Sequence, residues 1–267
     1  MPILHLAVLA IVQGITEFLP VSSSAHLVLV PIFMGWPDQG LILDVAVHVG
    51  TLGAVMLYLW RDMFDMLAGL SRLLKGRYDA GAKLALYLII ATLPVVGAGY
   101  LMNQYYPGGL RSILVIGWAT LGFGVLLWII DKTGMTLRRI EHLGISDILI
   151  MGFAQVLALI PGTSRSGITM TAGRLLGMER PEAARLSMLM SIPVIIGAGV
   201  LEGYKLYKLD DVQLTSDVFV AAGLAFGTAL ISIALLMAWV QRASFTPFAL
   251  YRIALGSFLL GISYGII

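Results

Sequence analysis

The 267-residue chain has no cysteine, which excludes disulfides, thiolate nucleophiles, thiolate metal sites and iron–sulfur clusters. Charge is also scarce. Asp, Glu, Lys and Arg make up 12% of the residues, about half the roughly 25% of a soluble domain. No block of like charge forms a basic arm or an acidic tail, so nucleic acid is not an expected partner. What is abundant is apolar surface: 59% of residues are hydrophobic and the mean hydropathy is +0.93. A compact core in water cannot hide that much, so lipid is the expected solvent and the chain reads as a polytopic membrane protein. The first twenty residues lack Lys or Arg before their apolar run, and Gln13, Thr16 and Glu17 interrupt it. They are therefore read as mature protein and not as a signal peptide.

Windows of mostly apolar residues near 41–60, 84–102, 112–130, 186–203, 218–240 and 247–266 are long enough to cross a bilayer as helices. Two shorter stretches, near 3–19 and 147–160, run into polar patches opened by Pro20 and Pro161. Short, proline-interrupted segments of this kind predict re-entrant helices. The expected fold is all-α and polytopic, with about six transmembrane helices and two re-entrant segments, and the polar stretch 61–83 as a connector. Arg61, Arg72, Lys75, Arg77, Lys83, Lys132, Arg138, Arg139, Arg174, Arg180, Arg185 and Arg242 fall on one side of this topology, which the positive-inside rule makes cytoplasmic. The opposite loops hold Arg111, Lys205 and Lys208. The patch from Pro20 matches the patch from Pro161 at an offset of 141, and the span after His48 matches the span after Met190 at 142. An odd number of crossings separates the copies, so the two halves, approximately 1–130 and 131–267 of a single membrane domain, form an inverted repeat.

An ionisable residue at mid-membrane costs about 2.5–3.5 kcal/mol on an insertion scale, so each such residue needs a partner or a task. Glu17, His26 and Arg165 sit at that depth. Gln13 and Glu17, four residues apart, share a helix face. Ser22, Ser23 and Ser24 with His26 place hydroxyls beside a base, the pairing covalent catalysis uses, although serines in membrane helices also cap or bond to a preceding carbonyl. The run from Pro161 to Thr169 combines a glycine turn at Gly162, hydroxyls at Ser164, Ser166 and Thr169, and Arg165 at a helix start. Those groups together favour a bound phosphate. Asp44 with His48 reads as a helix start and Arg252 as a snorkelling side chain near the start of the last span. His5 and His142 have no context that assigns them a role. No cluster defines an all-protein metal cage, but Glu17 with substrate phosphate oxygens could hold Mg²⁺ or Ca²⁺.

The stretches Gln13-Gly-Ile-Thr-Glu17-Phe-Leu-Pro-Val-Ser-Ser-Ser-Ala-His26 and Pro161-Gly-Thr-Ser-Arg-Ser-Gly-Ile-Thr169 resemble the two signature motifs of the bacterial undecaprenyl-diphosphate phosphatase (bacitracin-resistance protein) family. Length, span pattern and the motifs around His48 and Ser191-Ile-Pro193 also fit from end to end. The resemblance implies a multi-pass protein of the bacterial plasma (inner) membrane. Its site would open to the outer face and remove the terminal phosphate of a polyprenyl diphosphate, recycling the carrier for peptidoglycan. It implies Ser23 as nucleophile, His26 as its partner, Glu17 as the motif's acid and Arg165 as phosphate ligand, with Ser164, Ser166, Thr169, Gly162 and Ser22 in support. Gln13 stands where many members have Glu, which weakens any metal contribution there. The expected partners are the lipid substrate and membrane lipids, with no organic cofactor, and a homo-oligomer stays open. The residues alone also leave open His26 or water as the nucleophile, and translocation of a lipid phosphate without hydrolysis.

Overall fold

The computed structural model of the chain describes residues 2–105, 110, 112–209 and 212–266. Among the described residues there is no strand, and eleven α-helices succeed one another. They are α1 (Ile3–Thr16), α2 (Ser23–Met34), α3 (Leu41–Tyr58), α4 (Trp60–Leu73), α5 (Ala80–Tyr105), α6 (Ile113–Thr133), α7 (Ile145–Val156), α8 (Arg165–Leu175), α9 (Arg180–Leu209), α10 (Val212–Val240) and α11 (Thr246–Ser263). Helices α5, α6, α9, α10 and α11 are each long and apolar enough to cross a membrane, and α3 with α4 makes a sixth candidate as one bent pair. The protein is an all-α, multi-pass membrane protein.

The stretch 61–83 is not the plain connector its polarity predicts. Most of it is α4, which leaves α3 at an angle of 83°. Asp62, Met66 and Gly69 form the buried face of α4, at the three- and four-residue spacing of an amphipathic helix. Gly69 lets α4 lie directly on the start of α5, since a Cβ there would overlap the Ala82 nitrogen.

Two pairs of short helices enter the bundle and return. At the mouth of the α7–α8 pair, the N–H groups of Leu137 and Arg138 donate to the Gly177 carbonyl at 3.0 and 2.9 Å, and the Glu179 N–H returns to the Arg138 carbonyl at 2.9 Å. Entry and exit of that segment therefore lie side by side. At the mouth of the α1–α2 pair the rings of His5 and Trp36 stack with centroids 3.8 Å apart. Asp62, just past the end of α3, pairs with Arg185 in the opening turns of α9. Helix α3 thus ends where α9 begins, and the two central helices run in opposite directions.

Packing runs across the two halves of the chain. Helix α10 packs on α1 and α3, and α5 packs on α7 and α9, while α3 meets α9 and α6 meets α11. Ser22 and Ser164 are, among the described residues, the non-glycine positions with positive φ, at 77° and 69°. The backbone therefore sets the motif register at an offset of 142 (164 − 22), one more than the proline alignment predicts. Close helix contacts rest on small residues, the usual device where lipid supplies no hydrophobic drive between helices. A Cβ on Gly14 would sit 2.8 Å from the Ala225 carbonyl oxygen, and one on Gly50 would overlap that of Ala222, both on α10.

One end of the molecule is held by ions. Arg174 is fully buried, with its Nε 3.1 Å from Asp131 and further donors on the carbonyls of Met135, Gly134 and Met178. Asp131 also takes Arg180 at 2.7 Å and the Phe245 N–H at 2.9 Å. Arg138 holds Asp147 at 2.6 Å, Arg139 holds Glu179 at 3.2 Å, and Lys83 reaches the Glu141 carbonyl at 3.3 Å. Seven of the residues grouped by the positive-inside rule (Lys83, Arg138, Arg139, Arg174, Arg180, Arg185 and, through its bond to Asp79, Arg72) are thus tied into one end. Arg111 and the side chains of Lys205 and Lys208 lie outside the described residues.

Candidate active site

Each hairpin turns on a left-handed serine. Ser22 Oγ accepts from the Ala25 N–H at 3.4 Å and starts α2, and Ser164 Oγ accepts from the Gly167 N–H at 3.0 Å and starts α8. Both are N-caps, which stabilise the first turn by satisfying an otherwise free N–H. Non-glycine residues in this conformation cost of order 1–3 kcal/mol and cluster at functional sites. The residue after each cap, Ser23 in one turn and Arg165 in the other, is the first of its helix and bonds to Glu17.

Glu17 joins them. Its Oε1 accepts from Arg165 Nη2 at 2.9 Å, and its Oε2 accepts from Ser23 Oγ at 2.6 Å and from Gln13 Nε2 at 2.8 Å. The carboxylate is 5% exposed, a burial that paired charge and hydrogen bonds make tolerable. Arg165 is steadied by its other Nη on the Ser187 carbonyl at 3.0 Å and by the Phe18 ring at 5.9 Å. His48 Nε2 lies 3.4 Å from Glu17 Oε2. Its Nδ1 is 2.6 Å from the Asp44 carbonyl oxygen, so Nδ1 carries the hydrogen and Nε2 is the nitrogen presented to the site.

These groups line a cavity of about 260 Å³. Glu17, Ser23, Ser24, His48, Gln155, Ser164 and Arg165 supply its polar wall, and Val45, Val95, Ala158, Leu159, Val194, Ile195 and Ala198 the rest. A cavity polar on one part of its wall and apolar on the remainder suits an amphiphile with an anionic head group. A larger cleft of about 620 Å³ at the ion-paired end shares no lining residue with it. A hydroxyl held on a carboxylate, with a guanidinium beside both, is equipped for nucleophilic attack on a phosphoryl or acyl centre. Among the described residues no group of three or more His, Asp or Glu is arranged to hold a metal. Gln13 Oε1 is buried and without a partner, and its amide nitrogen is on Glu17.

The model of the bacitracin resistance protein BacA family matches residues 6–258. The chain belongs to that family. It is 53% identical over 266 residues to an undecaprenyl-diphosphatase of Ruegeria pomeroyi, covering 99% of this chain and 100% of the relative. Identity to undecaprenyl-diphosphatase 1 of Rhodospirillum rubrum is 50% over 272 residues, covering 99% and 96%. Identity to an undecaprenyl-diphosphatase of Alteromonas mediterranea is 44% over 261 residues, covering 97% and 98%.

In this BacA-family chain the structure divides the residues that the motifs group together. His26 makes no hydrogen bond to Ser23. Its Nδ1 bonds back to the Ser22 carbonyl at 2.7 Å and its Nε2 takes the Tyr251 hydroxyl on α11 at 2.6 Å, so both ring nitrogens are engaged away from the cavity. The hydroxyl of Ser23 goes to Glu17 instead. Ser166 ties the two turns together by donating to the Leu19 carbonyl at 2.8 Å. Thr169 supports the Arg165 carbonyl at 2.8 Å and meets the Ser187 hydroxyl at 2.6 Å. Gly162, at φ +95°, packs so closely on α6 that a Cβ would lie 2.6 Å from the Ile116 carbonyl oxygen. Of the residues predicted to bind phosphate, Arg165 and Ser164 line the cavity, while Ser166, Thr169, Gly162 and Ser22 build the wall behind it.

Two sequence readings are corrected. His48 does more than start a helix, because α3 carries it to the Glu17 carboxylate. Arg252 does not snorkel: it is fully buried and donates through Nη2 to the carbonyls of Gly162 and Thr163 at 3.0 and 2.7 Å. The α6–α11 contact carries it inward past Gly124, where a Cβ would stand 2.8 Å from that of Arg252. Its Nε and Nη1 have no partner. Sequence reasoning also misses Tyr251 and Gln155. For Gln155 a signal exists, since it stands at the repeat offset of 142 from Gln13 (155 − 13).

Proposed function

We propose that the chain hydrolyses undecaprenyl diphosphate to undecaprenyl phosphate and orthophosphate in the bacterial plasma membrane, from a site open to the outer face. The observation that carries this reading is the 2.6 Å bond from Ser23 to Glu17 with Arg165 on the other carboxylate oxygen, inside a half-apolar cavity. The names of the relatives supply the substrate.

The prenyl tail lies along the apolar wall and the diphosphate meets Arg165, Ser164 and the N–H groups that open α8. Glu17 accepts the Ser23 proton as Oγ attacks the terminal phosphorus, and the bond to the bridging oxygen breaks. Neutralising Glu17 weakens its hold on Arg165, which turns to the charge spreading over the phosphoryl oxygens. The departing prenyl phosphate takes the proton, restoring the carboxylate. Glu17 then draws a proton from water, whose oxygen attacks the phosphoserine. The P–Oγ bond breaks and Ser23 recovers its proton as orthophosphate leaves. His48 Nε2 stands 3.4 Å from Oε2, beside the oxygen that takes the Ser23 proton. A divalent ion would be held by Gln13 Oε1, Glu17 and phosphate oxygens, where it would neutralise diphosphate charge.

The test is orthophosphate release from the C55 diphosphate by purified protein in detergent, with and without Mg²⁺ or Ca²⁺, against Glu17→Gln. That variant keeps the shape and loses the base, and is expected to be slower by about 10²–10⁴. A folded wild type that releases none under any metal condition, yet moves the lipid across vesicles, would replace hydrolysis with translocation.

A further inference from the structure

Gln155 lines the cavity from the last turn of α7 and is 1% exposed, yet neither its Nε2 nor its Oε1 has a hydrogen-bond partner. Leaving a buried polar group unpaired is strongly unfavourable, and each instance in a folded protein needs a reason. Gln13 is its counterpart in the repeat. It too is buried, but its Nε2 donates to Glu17 at 2.8 Å. The position matching Glu17 in the second half, at the same offset (17 + 142), is Leu159, which has nothing to offer an amide. One glutamine of the pair therefore serves the carboxylate, and the other is left on the wall of a cavity with Arg165 on its polar side.

We propose that Gln155 is a substrate-binding residue, donating through Nε2 to a non-bridging phosphate oxygen of the diphosphate; this rests on the phosphatase reading above. The terminal amide torsion is broad, so a small rotation brings the N–H group to a seated phosphate without leaving a rotamer well. A neutral donor adds a hydrogen bond to an anion without drawing Glu17 away from Ser23 as a second cation would. The Leu159 position matters for the same reason, because a carboxylate there would capture the amide and repel the phosphate.

Two near-isosteric variants of the full chain in detergent test this. Gln155→Met removes the amide at equal length, and Gln155→Glu keeps the shape and adds a negative charge. Thermal unfolding, orthophosphate-release kinetics and calorimetric binding of inorganic pyrophosphate are measured for each. The Met variant is expected to be as heat-stable as wild type or more so, because an unpaired amide is gone. Its KM should rise about tenfold to a hundredfold, as for a lost hydrogen bond to a charged group, with kcat changed much less. The Glu variant should lose more in kcat/KM, and both should bind pyrophosphate more weakly. A Met variant with wild-type KM and pyrophosphate affinity overturns the proposal. So does a loss confined to kcat that falls in step with thermal stability, which marks a packing residue. Should the Met variant not fold, unchanged pyrophosphate affinity in the Glu variant overturns it equally. Pyrophosphate binding is read without turnover, so an inactive wild type would sink the phosphatase reading while this comparison still stands.

Discussion

The two signature turns are the same piece of backbone used twice for different chemistry. Each has a left-handed serine cap, a hydroxyl contact two residues on (Ser22 to Ser24 at 3.3 Å, Ser164 to Ser166 at 3.2 Å) and a helix that starts immediately after. They differ in the residue next to the cap and in the groups that hold each turn from behind. The first presents a hydroxyl, Ser23, and is anchored through His26 to Tyr251; the second presents a cation, Arg165, and is anchored through its carbonyls to Arg252. Each turn projects one side chain from a backbone strained at its serine cap. The side chains they project, a hydroxyl from one and a guanidinium from the other, meet on Glu17.

The sharpest way to break this division of labour is to remove the hydroxyl. Ser23→Ala should lower kcat/KM for orthophosphate release by about 10³ or more, which is about 4 kcal/mol of barrier. Retention of a tenth of the wild-type rate would make water the attacking group and leave Ser23 as a mere partner of Glu17. His26→Ala, by contrast, should leave most of the rate, because His26 hydrogen-bonds Ser22 and Tyr251 and not Ser23, and does not line the cavity.

On the second turn, Arg165→Ala should cost about 10²–10³ in kcat, the range for loss of one preorganised group that stabilises developing charge. Arg165→Lys should recover little of it, since an ammonium cannot hold both Glu17 and the Ser187 carbonyl as the planar fork does. Full rescue by lysine would reduce Arg165 to a point charge. It would also remove the hand-off in which Glu17, once protonated, releases the guanidinium to the phosphoryl group.

The anchors behind the turns come next. Arg252→Met removes the two bonds to the Gly162 and Thr163 carbonyls and also a buried guanidinium whose Nε and Nη1 are unpaired. Hydrogen bonds to charged groups are worth about 1.5–3 kcal/mol, whereas exchanging a buried charge for an apolar side chain is often neutral or stabilising. Activity should therefore fall by about tenfold to a hundredfold with little change in thermal unfolding. A drop in unfolding temperature large enough to account for the lost activity would make Arg252 a structural residue like Arg174, whose donors end on Asp131 and three further carbonyls.

The range over which each signal acts decides how much of the molecule is legible in the sequence. Hydropathy is a window property, so the six apolar spans and the two interrupted segments can be read directly, as can the Pro-Ser clustering that marks both turns. The 83° bend after α3 cannot, because no proline or glycine stands at Leu59 and the charges of α4 drag its window average down. Glu17 and Arg165 stand out because a charge at membrane depth needs a reason. Their contact joins opposite halves of the chain, and like that of Glu17 with His48 it is a tertiary fact with no local trace. Arg252 is misread for a related reason: distance from a helix end measures depth in the bilayer only when the helix faces lipid, and α11 turns this side chain into the protein.

The smallest effect separates scaffold from chemistry most cleanly, because it concerns the caps. Alanine at Ser22 or Ser164 keeps the Cβ in the left-handed region and loses the cap bond, which should destabilise by about 0.5–2 kcal/mol. Glycine loses the same bond but relieves the backbone, so its net effect should be a few tenths of a kcal/mol. Thermal unfolding should then rank both positions alike, with glycine above alanine. Turnover should not, since Ser22 is 1% exposed and absent from the cavity wall while Ser164 is part of it. Ser22→Gly should hold near wild-type activity where Ser164→Gly falls several-fold. Equal losses at both positions would mean that the first turn's cap touches substrate as well, and that the two turns differ less than the residues after their caps suggest.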